Sequence, residues 1–278
     1  MSFSFDDAPM GNGNLYTGLE RTKTLIQKLK ENGIQAAFYV NSVNIPNDNG
    51  DQRLKLYAQA GHFLGNHTHS HPHLDKVGVD AYIEEIKIAH AHLKDYENFT
   101  PWFRFTYLNQ GKTAAERDKI RFFLKTFGYF HAYTTLDNLD WLMNDLLNKA
   151  IKNKKQVNKP KVCNTYSEIL WESLEFYDKA ANQYMGRSPK HVLLLHENDL
   201  AALCIDQFIN YVKAKGWRII SPKESYEDPM ASKQPNTLYL NQGSVAATVN
   251  EMSGLKIRSV WENQAKLIDE FKKRKIFE

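Results

Sequence analysis

The sequence has no hydrophobic run approaching the roughly 20 apolar residues that a membrane-spanning helix requires, so no transmembrane segment is expected. It also has no stretch rich in Pro, Gly or Ser and no internal repeat, which leaves nothing that reads as an interdomain linker or a repeat array. Only two cysteines, Cys163 and Cys204, occur in 278 residues. Both lie in segments of helical pattern, and nothing in their spacing demands a disulfide. A dense Lys/Arg run is missing as well. The formal net charge is +4, and Lys152-Asn153-Lys154-Lys155 reads as a solvated helix end or loop, so nucleic acid is not an expected partner. No signal peptide is visible. What is there is an ordinary globular composition, 42% hydrophobic and 24% charged, which excludes disorder as the dominant state and suffices to bury a large core.

Short apolar runs alternate with amphipathic segments. Phe3-Ser4-Phe5 reads as a strand running into Asp6-Asp7, and further strands are expected at Ile34–Val40, His62–Gly65, Trp102–Thr106, Tyr129–Tyr133, His191–His196 and Trp217–Ile220. Helices are expected between them, at about Thr17–Asn32, Asp51–Ala60, Asp80–Lys94, Thr113–Phe127 and Asp199–Lys215, several stopped by a glycine. The nearly continuous apolar strand Ile34–Val40 is of the kind buried on both faces of a parallel sheet. The alternation predicts an α/β fold with a parallel sheet, closed or open, of about seven strands, too few for a full eight-unit barrel. It is interrupted from Trp141 to about residue 190, where helices over Asp137–Lys155 and Tyr166–Met185 form an insertion expected to cover part of the groove. A helix over Val260–Lys275 is expected to pack outside. One domain over residues 1–278 is the simplest organisation.

Four of the ten histidines fall between His67 and His73. Neutral imidazole is a common metal ligand, and two histidines four residues apart, such as His67 and His71, reach one ion. The vicinal pair Asp6-Asp7 supplies the missing oxygen: neighbours on a strand point to different sides, so one carboxylate can bind metal while the other faces substrate. A bare Asp-Asp is more often a turn or a helix cap, but here it ends a hydrophobic strand. Asp7, His67 and His71 then make three protein ligands with one open position, the pattern of a catalytic zinc site whose bound water is acidified. His69 and His73 read as loop residues next to the ligands, and His62, His90, His92, His131 and His191 as packing or surface residues. In parallel α/β sheets the active site gathers at the C-terminal strand ends. Those ends also carry Arg104, Tyr107, Asp137, Asp140 and His196, the last followed by Glu197-Asn198-Asp199, a polar exit suited to the rim of a site.

These residues resemble the motifs of the polysaccharide deacetylases, the NodB-homology carbohydrate esterases. Ser4-Phe5-Asp6-Asp7-Ala8-Pro9 is similar to Thr-Phe-Asp-Asp-Gly-Pro. Asn66-His67-Thr68-His69-Ser70-His71 is similar to the Asn-His-[Ser/Thr]-x-x-His core. Phe103-Arg104-Phe105-Thr106-Tyr107 resembles Arg-x-Pro-Tyr, Asp137-Asn138-Leu139-Asp140-Trp141 resembles Asp-x-x-Asp-Trp, and Leu194-Leu195-His196 resembles Leu-x-His. Each motif is short, but all five occur in the family's order. The resemblance implies a distorted, incomplete (β/α) barrel. It implies Asp6 as general base, Asp7, His67 and His71 as ligands of a divalent ion, usually zinc, and Arg104 as the partner of Asp6. It further implies the Tyr107 N–H as an oxyanion donor, His196 as general acid oriented by Asp140, and Tyr107, Trp141 and Leu194 as substrate contacts. Two positions depart from the pattern: Ala8 stands for the usual Gly and Thr106 for the usual Pro.

The expected activity is metal-dependent removal of acetyl groups from N-acetylated amino sugars or their polymers, such as chitin-like oligomers, peptidoglycan or other surface glycans. O-deacetylation uses the same apparatus. A small-amide amidase on the same fold, with a closed pocket, and an inactive carbohydrate-binding protein are the alternatives. The expected partner is the glycan, with no protein partner, and the expected location is outside the cytoplasm, with the leader absent from the chain as written.

Overall fold

A computed structural model describes residues 1–239 and 242–277. Six strands form one sheet: β1 (Ser2–Ala8), β2 (Ala37–Val40), β3 (Phe63–Asn66), β4 (Phe99–Phe103), β5 (Phe130–His131) and β6 (Val192–His196). All neighbours are parallel, in the order β5-β4-β3-β2-β1-β6. Helices follow the strands: α1 (Gly18–Glu31), α2 (Gly50–Gln59), α3 (Leu74–Val77), α4 (Val79–Leu93), α5 (Ala114–Thr126), α6 (Asp140–Lys152), α7 (Lys159–Met185), α8 (Asp199–Ala214), α9 (Pro222–Ser225), α10 (Ser244–Ser253) and α11 (Gln264–Lys273). β1 lies between β2 and β6 and, apart from Asp7, is buried along its length, as a strand covered on both faces must be.

The sheet curls into an incomplete barrel, and one stretch of chain spans its seam. After β5 the chain crosses to the far edge, where Leu136 bridges Leu193 in parallel and the Thr135 N–H donates to the Val192 carbonyl at 3.0 Å. This places the segment carrying Asp137 and Asp140 beside the strand carrying His196.

The incomplete parallel barrel agrees with the sequence reading, with six strands in place of about seven. The expected strand Trp217–Ile220 meets the sheet only at Met1, just ahead of β1: the Ile220 N–H donates to the Met1 carbonyl at 2.8 Å and the Met1 amino group donates to the Arg218 carbonyl at 2.8 Å. Both edges of β1 are already taken by β2 and β6, so no ladder is open to it. The helical interruption is α6 and α7, the latter longer than expected because Asn158 caps it and Pro160 fits its first turn. The C-terminal helix is split: Ser259 and Glu262 form a capping box around the turn Val260–Glu262, and Asn263 caps α11. Helix α10 was not expected. It starts at Gly243, where a Cβ would come within 2.4 Å of the Leu136 backbone, so only glycine permits this approach to the seam.

Cys163 on α7 and Cys204 on α8 form a disulfide, which their spacing alone did not announce. Both are buried, and they meet because α7 packs along α8. Closing a loop of 41 residues restricts the unfolded chain, so replacing both cysteines by serine is expected to lower stability by up to about 4 kcal/mol in urea unfolding. A change below about 0.5 kcal/mol would show that packing of α7 on α8 holds the contact without the bond.

Candidate active site

Asp6 and Asp7 end β1. Asp6 lies opposite His196 in the β1–β6 register, while the β1–β2 register shifts between Phe5 and Ala8. The irregularity re-aims the two carboxylates, and Asp7 takes a left-handed backbone, φ 63°.

Asp7 Oδ1 lies 3.5 Å from His67 Nε2 and 3.3 Å from His71 Nε2. This carboxylate oxygen is buried and has no hydrogen-bond partner among the described residues. His67 Nδ1 is 2.8 Å from the Arg104 carbonyl, which can only accept, so Nδ1 carries the proton and the lone pair of Nε2 faces Asp7. Burial, with His71 adjacent, holds His67 well below the usual imidazole range, and burial also lowers His71. A carboxylate oxygen and two neutral imidazoles therefore converge within 4.8 Å of one another. The donor set fits a divalent cation: one hard oxygen, two nitrogens, and a second residue orienting one ring. His69 and His73 do not join it. His69 Nδ1 pairs with the Ser42 hydroxyl at 2.9 Å, and His73 stacks on Tyr107 with ring centroids 3.7 Å apart.

Beside the triad, Arg104 Nη1 donates to both oxygens of Asp6 at 3.0 and 3.2 Å. The guanidinium is buried, donates through Nε to the Ala132 carbonyl at 2.6 Å and lies 4.3 Å from the centre of the Tyr39 ring. Burial raises the Asp6 carboxyl to about 6, with Arg104 working against the rise.

On the other side, Asp140 at the start of α6 is fully buried. Its Oδ1 is 2.7 Å from His196 Nδ1, and its Oδ2 accepts the His196 backbone N–H at 2.8 Å. Burial opposes an imidazolium here, but the Asp140 carboxylate, joined by Asp7 and Asp6, outweighs it and lifts His196 to about 10. His196 Nε2 points toward the triad, 3.9 Å from Asp7 Oδ2.

Asp6, Asp7, His67, His71 and His196 line one cleft of about 580 Å³, within the usual size of a small-ligand site, with Arg104 and Asp140 behind it. Leu194, at 4% exposure, forms part of its floor, and Tyr107 and Trp141, at 43% and 37%, stand at its mouth. Every residue singled out from the sequence thus reaches the same cavity or contacts a residue that does. Of the insertion, only α6 lines the cleft, through Trp141, Asn144 and Asp145; α7 packs on α8 and α10. The sequence reading missed a wall formed by Arg258, Glu262 and Gln264. No local signal marks them, because the C-terminal segment reaches the cleft only by folding back over the barrel. Burial and the nearby Glu262 push the Asp137 carboxyl up to about 7.

Of the expected polar rim after His196, Asn198 lines the cleft and donates to Asp140 Oδ2 at 3.2 Å, but Glu197 and Asp199 require correction: they are buried away from it, at 0 and 1% exposure. Glu197 is clasped by Arg21 of α1 and Arg53 of α2, and Asp199 by Arg21.

Residues 1–121 match the family model described as polysaccharide deacetylase. Over 106 residues the chain is 33% identical to a peptidoglycan-N-acetylglucosamine deacetylase of Bacillus cereus, covering 37% of this chain and 34% of that protein; the match thus spans about a third of the relative's length. It is 25% identical over 233 residues to a chitin deacetylase of Colletotrichum lindemuthianum, covering 82% of this chain and 79% of the relative. The solved structure of the Colletotrichum lindemuthianum chitin deacetylase superposes with a TM-score of 0.56 at 20% identity, over 81% of this chain and 85% of that one, a likeness of fold.

Proposed function

We propose, from the match of residues 1–121 to the polysaccharide deacetylase family model, that the chain hydrolyses the N-acetyl group of amino sugars in a glycan. The observation that carries this reading is the convergence on one cleft of the Asp6–Arg104 pair, the Asp7–His67–His71 triad and the Asp140–His196 pair. Amide hydrolysis needs an activated water, a stabilised oxyanion and a proton for a poor leaving group, and the cleft offers one group for each need.

Asp7, His67 and His71 would hold a divalent ion, zinc by their donor types, and that ion supplies Lewis acidity that acidifies water and polarises the acetyl carbonyl. Asp6 takes the proton of the attacking water, and Arg104 keeps its carboxylate oriented. The backbone N–H of Tyr107 faces the developing oxyanion. His196 carries its proton on Nε2 to the departing nitrogen, while Asp140 fixes the other side of the ring. The C–N bond breaks, and acetate and the free amine leave. Trp141 and Leu194 flank the acetyl methyl. Both relatives act on polymers of N-acetylated sugars by name, and exposed aromatic rings at an open mouth suit such a chain better than they suit a small cyclic amide. The buried disulfide supports a location in an oxidising compartment outside the cytoplasm.

The test is acetate release from N-acetylglucosamine oligomers of increasing length, by chelated enzyme and after zinc is restored. Release is expected only with metal and is expected to rise with chain length. A protein that binds one zinc ion and yet releases no acetate from any glycan would sink the reading; release from acetyl esters alone would turn it into O-deacetylation.

A further inference from the structure

Thr106 precedes Tyr107 at a turn where four nearby residues carry left-handed backbones: Thr68 (φ 71°) and His71 (φ 57°) in one loop, Tyr107 (φ 54°) and Leu108 (φ 52°) in the other. Such conformations are costly for residues with a Cβ and persist where surrounding contacts over-determine them. Thr68 is held by the Asn66 side chain at 2.8 Å and His71 by the Thr68 hydroxyl at 3.1 Å, and the two loops are joined by a closed circuit. The Thr106 hydroxyl donates to the Pro72 carbonyl at 2.7 Å. Its single proton is thereby used, so at the 2.9 Å contact with the Tyr82 hydroxyl it is Tyr82 that donates. The Thr106 N–H in turn donates back to the Tyr82 oxygen at 3.0 Å. Tyr82 and Thr106 are both fully buried, and the Tyr82 ring is packed beside Phe103 and Phe105, so both hydroxyls are shut away from water, while Pro72 is half-buried.

The circuit ties together the two loops that carry the chemistry. Pro72 stands between His71, a ligand of the triad, and His73, whose ring lies flat on Tyr107; the His71 ring meets Tyr107 edge-on at 4.5 Å. We infer that Tyr82 and Thr106 are positioning residues that fix His71 and the Tyr107 turn relative to each other, so that metal affinity and oxyanion placement are set by one buried hydroxyl on α4. The inference rests on the metal-site reading above. The circuit needs a residue at this turn that supplies both a backbone N–H and a hydroxyl, as threonine does; a proline, which has neither, would leave Tyr82 and Pro72 unanswered.

The experiment measures zinc affinity of the purified protein by competition with a chelator, alongside kcat and KM for N-acetylglucosamine oligomers. Tyr82→Phe removes one oxygen and keeps the ring; Thr106→Val keeps the shape and removes the hydroxyl. Each is expected to weaken zinc binding about tenfold or more, as loss of a group supporting a ligand does, and to lower kcat with KM within about twofold. Thr106→Ser restores the hydroxyl and is expected to behave as wild type. The double variant Tyr82→Phe/Thr106→Val is expected to lose no more than the worse single variant, because both act on one circuit. Ile120→Val, in the same apolar cluster, controls for a loss of packing and is expected to lower thermal stability with zinc affinity unchanged. Unchanged zinc affinity in both single variants, or fully additive losses in the double, would overturn the inference. Failure of the wild-type protein to bind zinc would overturn the metal-site reading itself, an outcome separate from either.

Discussion

Asp6→Asn is expected to lower turnover by roughly 10²–10⁴-fold, the range for loss of a general base, while zinc affinity stays within a few-fold of wild type. The separation follows from geometry. Asp7, His67 and His71 converge on one point, whereas Asp6 is turned toward Arg104, 3.0 Å away, with its nearest oxygen 3.8 Å from His67 Nε2. Asparagine keeps the shape and an oxygen acceptor for Arg104 but can take no proton. It also leaves a buried guanidinium without its counter-charge, so stability should fall, by at most the roughly 3–5 kcal/mol seen when a buried pair is broken. Zinc titration and urea unfolding on the same preparation separate the three effects. Full activity of Asp6→Asn would remove Asp6 from the role of base; loss of zinc binding in step with activity would make it a ligand.

On the proposed mechanism, Asp6 as base and His196 as acid bound the pH profile. Asp6 must be ionised to accept a proton, and burial lifts its carboxyl to about 6 in the metal-free chain. A bound cation favours the ionised form, so the acid limb of kcat/KM is expected at or below about pH 6. His196 must be protonated to donate, and Asp140, with Asp7 and Asp6, outweighs burial and holds it up to about 10; a nearby cation moves it down, so the alkaline limb is expected at or below about pH 10. Asp140→Asn removes the charge that holds His196 protonated and should carry the alkaline limb toward neutral pH. An unmoved limb in that variant would assign the limb to another group.

What could be read from the sequence was whatever is encoded locally. Strand-to-loop junctions such as Phe5-Asp6-Asp7 and Leu195-His196 announce themselves by a hydrophobic run that ends in a polar, chemically active residue, and the sheet then gathers those ends whatever the loops do. What escaped the reading depends on contacts between distant residues. Trp217–Ile220 has the pattern of a strand but meets no free sheet edge. The cleft wall of Arg258, Glu262 and Gln264 exists only because the C-terminal segment crosses the barrel. The Cys163–Cys204 bond depends on the line along which α7 meets α8. Arg21 and Arg53 carry the charge of surface residues, and only the position of Glu197, 176 and 144 residues away respectively, decides that they are buried.

That buried cluster supports the largest stability effect expected in the chain. Glu197 Oε2 accepts from Arg53 at 2.7 Å and from the Met10 N–H at 2.8 Å; Oε1 accepts from Tyr57 at 2.8 Å and from Arg21 at 3.3 Å. Arg21 also donates to Asp199 at 3.0 Å, whose other oxygen accepts the Leu15 N–H at 2.9 Å. Two cations and two anions are thus enclosed together, and through Met10 and Leu15 they hold the loop that follows Asp6 and Asp7. Glu197→Ala leaves a net positive charge with no water to solvate it. Breaking a buried pair in this way costs about 3–5 kcal/mol, a large share of the 5–15 kcal/mol typical of a folded domain. Glu197→Gln, which keeps acceptor and volume, should cost less. Adding Arg53→Met to Glu197→Ala removes the stranded cation and should recover part of the loss, since a well-packed apolar replacement of a buried pair is often near neutral. Urea unfolding of the three variants decides the matter: if Arg53→Met worsened Glu197→Ala, the cluster would be acting through its shape and hydrogen bonds and not through its charge balance.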